Sequence, residues 1–456
     1  MWHPRLRRFC SSFESFCCLE ESGVTDVNLR ALALDVLCAV NEEGRYSHLM
    51  LRQVLEKYQY LPRHERAFLT RLVEGTIERQ IALDYVIDAF SKTKIRKMKP
   101  LIRNLMRMSV YQILYMDAVP DSAACDEAVR LAKKRGFSGL SGFVNGVLRS
   151  IARDGRTVSW PDGEKDPLAA LSVRYSVPQW IVGLWADRYG LEKTERILSG
   201  FSGEQALSVR VNLQKTTPEE LKRELEAEGL LVQPAGELPY AFYVDGVDHL
   251  NALKSFREGR FYVQDVSSMR VAELAGVRDG DYVIDVCAAP GGKSLHLAEL
   301  LHGTGLVEAR DLTDYKVGLI RENIEKHGAG NVRAMRMDAT VHHDASVERA
   351  DVLICDLPCS GLGVLGKKPD IRYRMTLEKT RELALLQRQI LSVVWDYTKH
   401  GGVLIYSTCT INDAENEENV AWFLQNWPEY ELLHEEQMFP GGENRDGFFL
   451  AKLVRH

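Results

Sequence analysis

"DVCAAPGGKS" runs from Asp285 to Ser294, directly after the aliphatic and aromatic run "YVI" (282–284). Two small residues, a proline and two glycines thus follow a candidate strand and lead into a candidate helix at Lys293. Tiny or absent side chains let backbone N–H groups at a helix start approach a ligand closely. Cys287, Ala288, Ala289, Pro290, Gly291, Gly292 and Lys293 are therefore read as a ligand-binding turn. The turn departs from the G-x-G-x-x-G spacing of dinucleotide sites.

On its C-terminal side the same rhythm repeats. "GLVEARD" (305–311), "NVRAMRMD" (331–338), "ADVLICDLP" (350–358) and "GVLIYSTCT" (402–410) are short aliphatic or β-branched runs. Helical stretches such as "TDYKVGLIRENIEKHG" separate most of them. Strand–helix alternation predicts a parallel sheet covered by helices on both faces. "YELLHEE" (430–436) and "GFFLAKLVR" (447–455) are joined only by a Gly/Pro/Asn-rich loop, which predicts a closing hairpin with one antiparallel strand. An α/β domain is expected over 259–456.

Upstream, 168–258 mixes short strands ("ALSVRVNL", "YAFYVDG") with a capped helix ("TPEELKRELEAEG") and reads as a small α+β module. Residues 155–167 are rich in Gly, Pro, Asp and Lys and read as a linker. From 27 to 154 apolar residues recur at three- and four-residue spacing throughout, predicting an all-α domain. Residues 1–26 break any apolar core with Ser, Glu and Cys and read as a disordered extension.

The chain of 456 residues is 45% hydrophobic and 27% charged, with enough apolar residues for several cores. No uncharged apolar stretch is long enough for a membrane span. A net charge of −6 gives the whole chain no cationic field, so any nucleic-acid contact must come from local patches. One such run holds seven Lys/Arg and no acid between Lys92 and Arg107, including Lys92, Lys94, Arg96, Lys97 and Lys99. It reads equally as a solvated face or as a phosphate-contacting patch. Trp180, Trp185, Arg210 and Lys215 in the middle module are read as ordinary packing or surface ahead of RNA contact. Nine cysteines, an odd number without paired CxxC spacing, indicate a reduced, cytosolic chain and no metal site.

Ligands of open parallel sheets bind beyond the carboxyl ends of the strands, where strand order reverses. Asp311 ends the strand after the glycine turn, where an acidic residue can bond both hydroxyls of a ribose. Asp338 and Asp356 end the next two strands. Three such carboxylates beside one glycine turn describe a pocket for an adenosine-type cofactor. Cys359 and Cys409 follow the fourth and fifth strands, so both thiols should reach the same crevice. A thiol just past a strand end can meet substrate and favour the thiolate. Cys355 and Cys38, inside apolar runs, are read as small buried hydrophobes.

"CAAPGGK", "DLPCSG" with "KKPDIRYR" downstream, and "YSTCTINDAENEENV" resemble the signature segments of RNA cytosine-5 methyltransferases that use S-adenosylmethionine. "RYSVPQW", "VRVNL" and "FYVQDVSSM" resemble the segments preceding that domain, and the helical region resembles a NusB-type RNA-binding domain. The three-part order resembles the bacterial Sun/Fmu type, which acts on 16S ribosomal RNA. The resemblance implies an all-α N-terminal domain, a small α+β RNA-binding module and a Rossmann-like methyltransferase domain with a mostly parallel sheet. It implies S-adenosylmethionine as cofactor, held by Cys287 to Lys293, Asp311, Asp338 and Asp356. It implies Cys409 as nucleophile and Cys359 as the thiol that assists later.

Two thiols suit cytosine, whose carbon 5 is a poor nucleophile. A thiolate added to carbon 6 makes carbon 5 enamine-like, and a base must then remove its proton before the thiolate leaves. Asp356 is a candidate for the ring-nitrogen edge. The target base must be single-stranded or flipped. Lys367, Lys368, Arg372 and Arg374 could hold flanking phosphates. Glu415, Glu417 and Glu418 read as the start of a helix. A cytoplasmic monomer acting on ribosomal RNA is expected. Rival readings are a methyltransferase of transfer RNA or another ribosomal position, a non-catalytic RNA-binding assembly factor, and a nicotinamide-dependent dehydrogenase.

Overall fold

A computed structural model describes residues 27–202, 206–441 and 446–456; the extension expected over 1–26 lies outside the described residues. Helices Leu29–Glu43, Ser47–Lys57, Arg63–Glu78, Gln80–Phe90, Pro100–Tyr115, Asp121–Lys134 and Ser141–Asp154 form the N-terminal domain. Local signals set their ends: Asn28 accepts from the N–H of Ala31, and Gly44 at φ 71° stops the first helix. Pro100–Tyr115 is buried on nearly every side, as a central core helix must be. Its Arg107 holds Asp84 through two bonds of 2.6 and 2.7 Å, so this buried cation is paired.

The stretch expected to be a linker lies on this domain. Trp160 stacks on Tyr85 at 5.7 Å, and the Tyr85 hydroxyl donates to the Ser159 carbonyl. Two helices follow, Pro167–Tyr175 and Gln179–Gly200. Within the expected module they also pack with Leu362, Leu365 and Ile411 of the C-terminal domain. Trp185 anchors them: it is buried, and its indole N–H donates to the Ile411 carbonyl.

The middle sheet is antiparallel. Strands β1 (Leu207–Val211), β2 (Leu231–Pro234), β3 (Ala241–Asp245) and β4 (Phe261–Val263) lie in the order β2-β3-β1-β4. Helix Pro218–Ala227 packs on it, started by a capping box between Thr217 and Glu220. β4 falls beyond the boundary expected at 258, because Val209 pairs with Val263. Arg210 ties this sheet to the next domain. It is buried, its Nη1 meets Glu299 at 2.6 Å, its Nε donates to Gln264, and its guanidinium lies over Tyr262.

The C-terminal sheet contains β5 (Tyr282–Asp285), β6 (Leu306–Asp311), β7 (Val332–Arg336), β8 (Ala350–Asp356), β9 (Thr398–Thr408), β10 (Tyr430–Met438) and β11 (Phe448–Arg455). Its order is β10-β11-β9-β8-β5-β6-β7, with β5 to β9 parallel and β11 antiparallel to both neighbours. The hairpin therefore adds the one reversed strand that the sequence predicts. Order reverses between β5 and β8, where Asp285 pairs with Ala309 on one side and Ile354 on the other. Separate cores cover the two faces, one around Leu295, Leu297 and Ile320, the other around Ile390, Leu391 and Phe423. Among the described residues no helix is long and apolar enough to cross a membrane.

Candidate active site

At the reversal point the chain leaves β5 and makes the turn Val286–Gly291. The N–H of Ala288 donates to the Arg310 carbonyl (2.8 Å) and that of Gly291 to Ala288 (2.7 Å), closing the loop over β6. Gly291 adopts φ 107°, a region that favours glycine, and is the N-cap of helix Gly292–Leu300. It has no side chain to cap the helix, so the first-turn N–H groups remain available to an anionic group of a ligand. Beneath the turn, Asp285 accepts from the Ser294 hydroxyl at 2.6 Å. Burial pushes its pKa up to about 7, against the pull of that hydrogen bond.

The other strand-end carboxylates surround this turn. Asp311 is nearly buried; one oxygen accepts from the N–H of Ala289 (3.0 Å), the other from that of Leu312 and from Lys316 at 3.0 Å. Asp338 lies two residues past the end of β7 and is partly exposed. The hydroxyl and N–H of Thr340 hydrogen-bond its Oδ1 and pull its pKa down. Val286, Arg310, Asp338 and Ala339 line one small cavity, so the turn and the end of β7 face each other. Asp356 closes the set: Lys293 meets its Oδ2 at 2.7 Å and Ser407 donates to its Oδ1 at 2.8 Å. A glycine-capped helix start beside three carboxylates fits a ligand with one anionic group and several hydroxyl or amino donors.

Cys359 and Cys409 come together, Sγ to Sγ 3.1 Å, as unlinked thiols. Their backbones are fixed by a relay in which Gly363 N–H donates to the Cys409 carbonyl (3.1 Å) and Gly447 N–H to the Gly363 carbonyl (2.8 Å). The Cys359 hydrogen bond holds the Cys409 pKa below that of an ordinary thiol; burial and Asp356 oppose it, and Lys293 and Lys368 help. The same bond, with burial and the nearby Glu415, raises Cys359 well above its ordinary value. The pair is thus polarised, with the thiolate form favoured at Cys409 over Cys359. Burial drives Cys287 and Cys355 upward, away from reactivity.

One residue of this site was hidden in the sequence. Glu415, expected to begin a helix, is fully buried between the two cysteine loops. Its carboxylate accepts from the N–H and hydroxyl of Ser360 (2.8 and 2.5 Å), from Asn412 (2.8 Å) and from Gln387 (3.2 Å). Burial raises its pKa despite these donors. Ser360 also meets Thr410 at 2.7 Å, so the residues next to each cysteine are joined directly. The only sequence signal was an acid six residues after Cys409, flanked by Asn412 and Asn416.

The expected cations divide. Lys92, Lys94, Arg96, Lys97 and Lys99 are exposed, and so is Lys368. Lys367 is held by Asp265 and Asp446 at 2.5 and 2.9 Å, its charge engaged within the fold. Arg372 corrects the expectation of a phosphate contact: it is 2% exposed. Its guanidinium donates to the carbonyls of Glu78, Tyr175, Ser176 and Leu365, because this segment docks into the helical domain. Arg374 is partly buried, lying 3.8 Å over the Tyr46 ring.

Residues 272–454 match the family described as 16S rRNA methyltransferase RsmB/F. Residues 27–153 match the NusB family, and 177–248 the ferredoxin-like domain of RsmF/B-like methyltransferases. The chain is 39% identical to the probable ribosomal RNA small subunit methyltransferase B of Bacillus subtilis, over 93% of this chain and 98% of that one. The corresponding probable enzyme of Synechocystis is 33% identical over 94% and 100%. The crystal structure of PH0851 superposes with a TM-score of 0.81 and 25% identity, covering 94% of this chain and all of that one. NSun6 from Pyrococcus horikoshii with SFG shares the fold over 61% of this chain and 98% of its own, with a TM-score of 0.57 and 24% identity.

Proposed function

Because this chain belongs to the ribosomal RNA small subunit methyltransferase B family, we propose that it methylates carbon 5 of a cytosine in 16S ribosomal RNA, with S-adenosylmethionine as donor and Cys409 as covalent nucleophile. When bound, S-adenosylmethionine supplies an electrophilic methyl group. The turn Cys287–Lys293, Asp311, Asp338 and Asp356 are the residues assigned to hold it. The observation that carries the reading is the polarised pair, Cys409 and Cys359 at 3.1 Å, next to the Lys293–Asp356 ion pair.

The polarity suggests an order of events. Cys409, already favoured as thiolate, adds to carbon 6 while Asp356, entering this step in its protonated form, donates a proton to the ring nitrogen that gains electron density; expulsion of Cys409 later returns that proton to the carboxylate. Adduct formation converts Cys409 into an uncharged thioether. That removes the thiolate acceptor of the Cys359 hydrogen bond and its nearby negative charge, the first and third causes of the raised Cys359 pKa. Cys359 can then lose its proton to solvent and take the one on carbon 5, after which the Cys409–carbon 6 bond breaks. Attack by one thiolate thus prepares the other thiol as base. Lys92, Lys94, Arg96, Lys97, Lys99, Lys368 and Arg374 are assigned to RNA phosphates.

The test is trapping with under-methylated small-subunit RNA and S-adenosylmethionine. Cys359→Ala should accumulate a denaturation-resistant protein–RNA adduct, and Cys409→Ala should form none. An adduct on Cys409→Ala would reverse the two roles. Wild-type protein that neither methylates nor captures this RNA would overturn the proposed substrate.

A further inference from the structure

The helical domain is fastened to the segment that follows the Cys359 loop. Asp370 accepts from the Ser47 hydroxyl at 2.5 Å, Arg372 fills a socket of carbonyls, and the Tyr373 hydroxyl donates to the Ser176 carbonyl at 3.0 Å. A cavity of about 670 Å³ remains open along this seam. Arg96, Arg103 and Arg107 reach it from the helical domain, Arg374 and Lys379 from the α/β domain. Glu42 pairs with Arg103, Asp84 with Arg107 and Asp370 with Arg374. Arg96 and Lys379 have no carboxylate partner among the described residues, so the cavity carries surplus positive charge.

At the cavity's edge Tyr46 is half exposed beneath the Arg374 guanidinium, a plate on which a base can stack. His48, two residues on, is exposed, and its neighbour Ser47 is held by Asp370, two residues past Lys368. The Lys368 N–H donates to the Val364 carbonyl at 2.9 Å, one residue after Gly363, whose N–H holds the Cys409 carbonyl at 3.1 Å. A cation, a cavity, an aromatic plate and a second cation therefore lead from the basic segment of one domain to the thiol pair of the other.

We infer that the seam between the two domains is a track for single-stranded RNA, entered at Arg96 and Lys379, passing Tyr46 and His48, and ending at Lys368 on the loop whose Gly363 holds Cys409. The inference rests on the RNA-methyltransferase reading above and adds to it the path of the strand that flanks the target. A strand is required because stacking on Tyr46 needs an unpaired base.

The test is the affinity of full-length protein for fluorescein-labelled single-stranded RNA from unmethylated small-subunit rRNA, measured across salt concentrations. Each phosphate contact on a single strand contributes roughly 0.7 to the salt slope, or about fivefold in affinity at 0.1 M salt. Arg96→Gln with Lys379→Gln should therefore weaken binding about 25-fold at that salt and flatten the slope by about 1.4. Tyr46→Ala should weaken it roughly tenfold, the effect of losing one stacked base. Lys165→Gln with Lys399→Gln removes equal charge away from the seam and should leave affinity unchanged. Unchanged affinity in the Arg96/Lys379 variant, or an equal loss in the Lys165/Lys399 variant, overturns the track. Methyl transfer is followed on the same samples: if the seam variant loses affinity while wild type methylates nothing, the track stands and the catalytic reading falls.

Discussion

Replacing Glu415 by alanine removes the acceptor that joins the two cysteine loops, and the consequence can be worked bond by bond. The Ser360 hydroxyl retains Thr410, and Gln387 retains the Pro358 carbonyl at 2.8 Å. The Ser360 N–H and the Asn412 amide lose the acceptor they had. At ~1–3 kcal/mol for each buried donor left unsatisfied, Glu415→Ala should cost about 4 kcal/mol. That is a large part of an ordinary domain's stability of ~5–15 kcal/mol. Glu415→Gln adds a pH signature. Burial raises the folded-state pKa of Glu415 above its unfolded value. Its contribution is fully present below the unfolded pKa and is lost as pH rises through the folded one. Glutamine undergoes no such loss, so the deficit of Glu415→Gln should shrink as pH rises. Urea titration of both variants from acid to neutral pH, with single-turnover methyl transfer alongside, reads these effects. A Glu415→Ala protein within about 1 kcal/mol of wild type and with wild-type turnover refutes the argument. So does a Glu415→Gln deficit that grows with pH.

Gly363→Ala should disable the site without touching a reactive group. An added Cβ would stand 1.9 Å from the Gly447 carbonyl oxygen and 2.9 Å from that of Cys409, both backbone atoms. Shifting the Cys409 loop by about 1 Å should lower turnover on the order of 10²-fold, with cofactor affinity nearly intact. Wild-type turnover would show the loop has room to spare. His327 should make the protein acid-sensitive. It is buried, stacked on Tyr262 and hydrogen-bonded to the Gly259 carbonyl, and burial lowers its pKa to about 3. The unfolded chain therefore binds the proton first, and stability falls as pH drops from the unfolded value towards 3. Between pH 6.5 and 5 the loss should be about 2 kcal/mol, and His327→Gln should remove that slope in a urea-midpoint series. An identical slope in the variant would assign the acid sensitivity elsewhere.

What could be read from the residues was local. The turn at Cys287–Lys293, the strand-end positions of Asp311 and Asp356, and the placement of both thiols just past strands follow from short-range pattern plus the geometry of a parallel sheet. Roles set by distant segments could not be read that way. Glu415 follows Cys409 by six residues, yet its function depends on Ser360, which lies 55 residues upstream. Arg372 sits in a basic loop that looks solvated, and becomes buried because Glu78, 294 residues earlier, offers it a carbonyl. The helices Pro167–Tyr175 and Gln179–Gly200 are a case of the same kind: their apolar faces say that they pack, and only the tertiary structure says against what. For Arg210 the residues leave packing and surface both open, and its burial follows from Glu299, a charge partner in another domain.

The socket that receives Arg372 has a consequence for the order in which the protein is made. The carbonyls of Glu78, Tyr175 and Ser176 are translated long before the guanidinium they accept. The helical domain thus leaves the ribosome with this docking site hydrated. It is dried and closed only when the segment just after Cys359 is synthesised and inserts. A chain stalled before residue 372 would hold an N-terminal domain with its socket still wet.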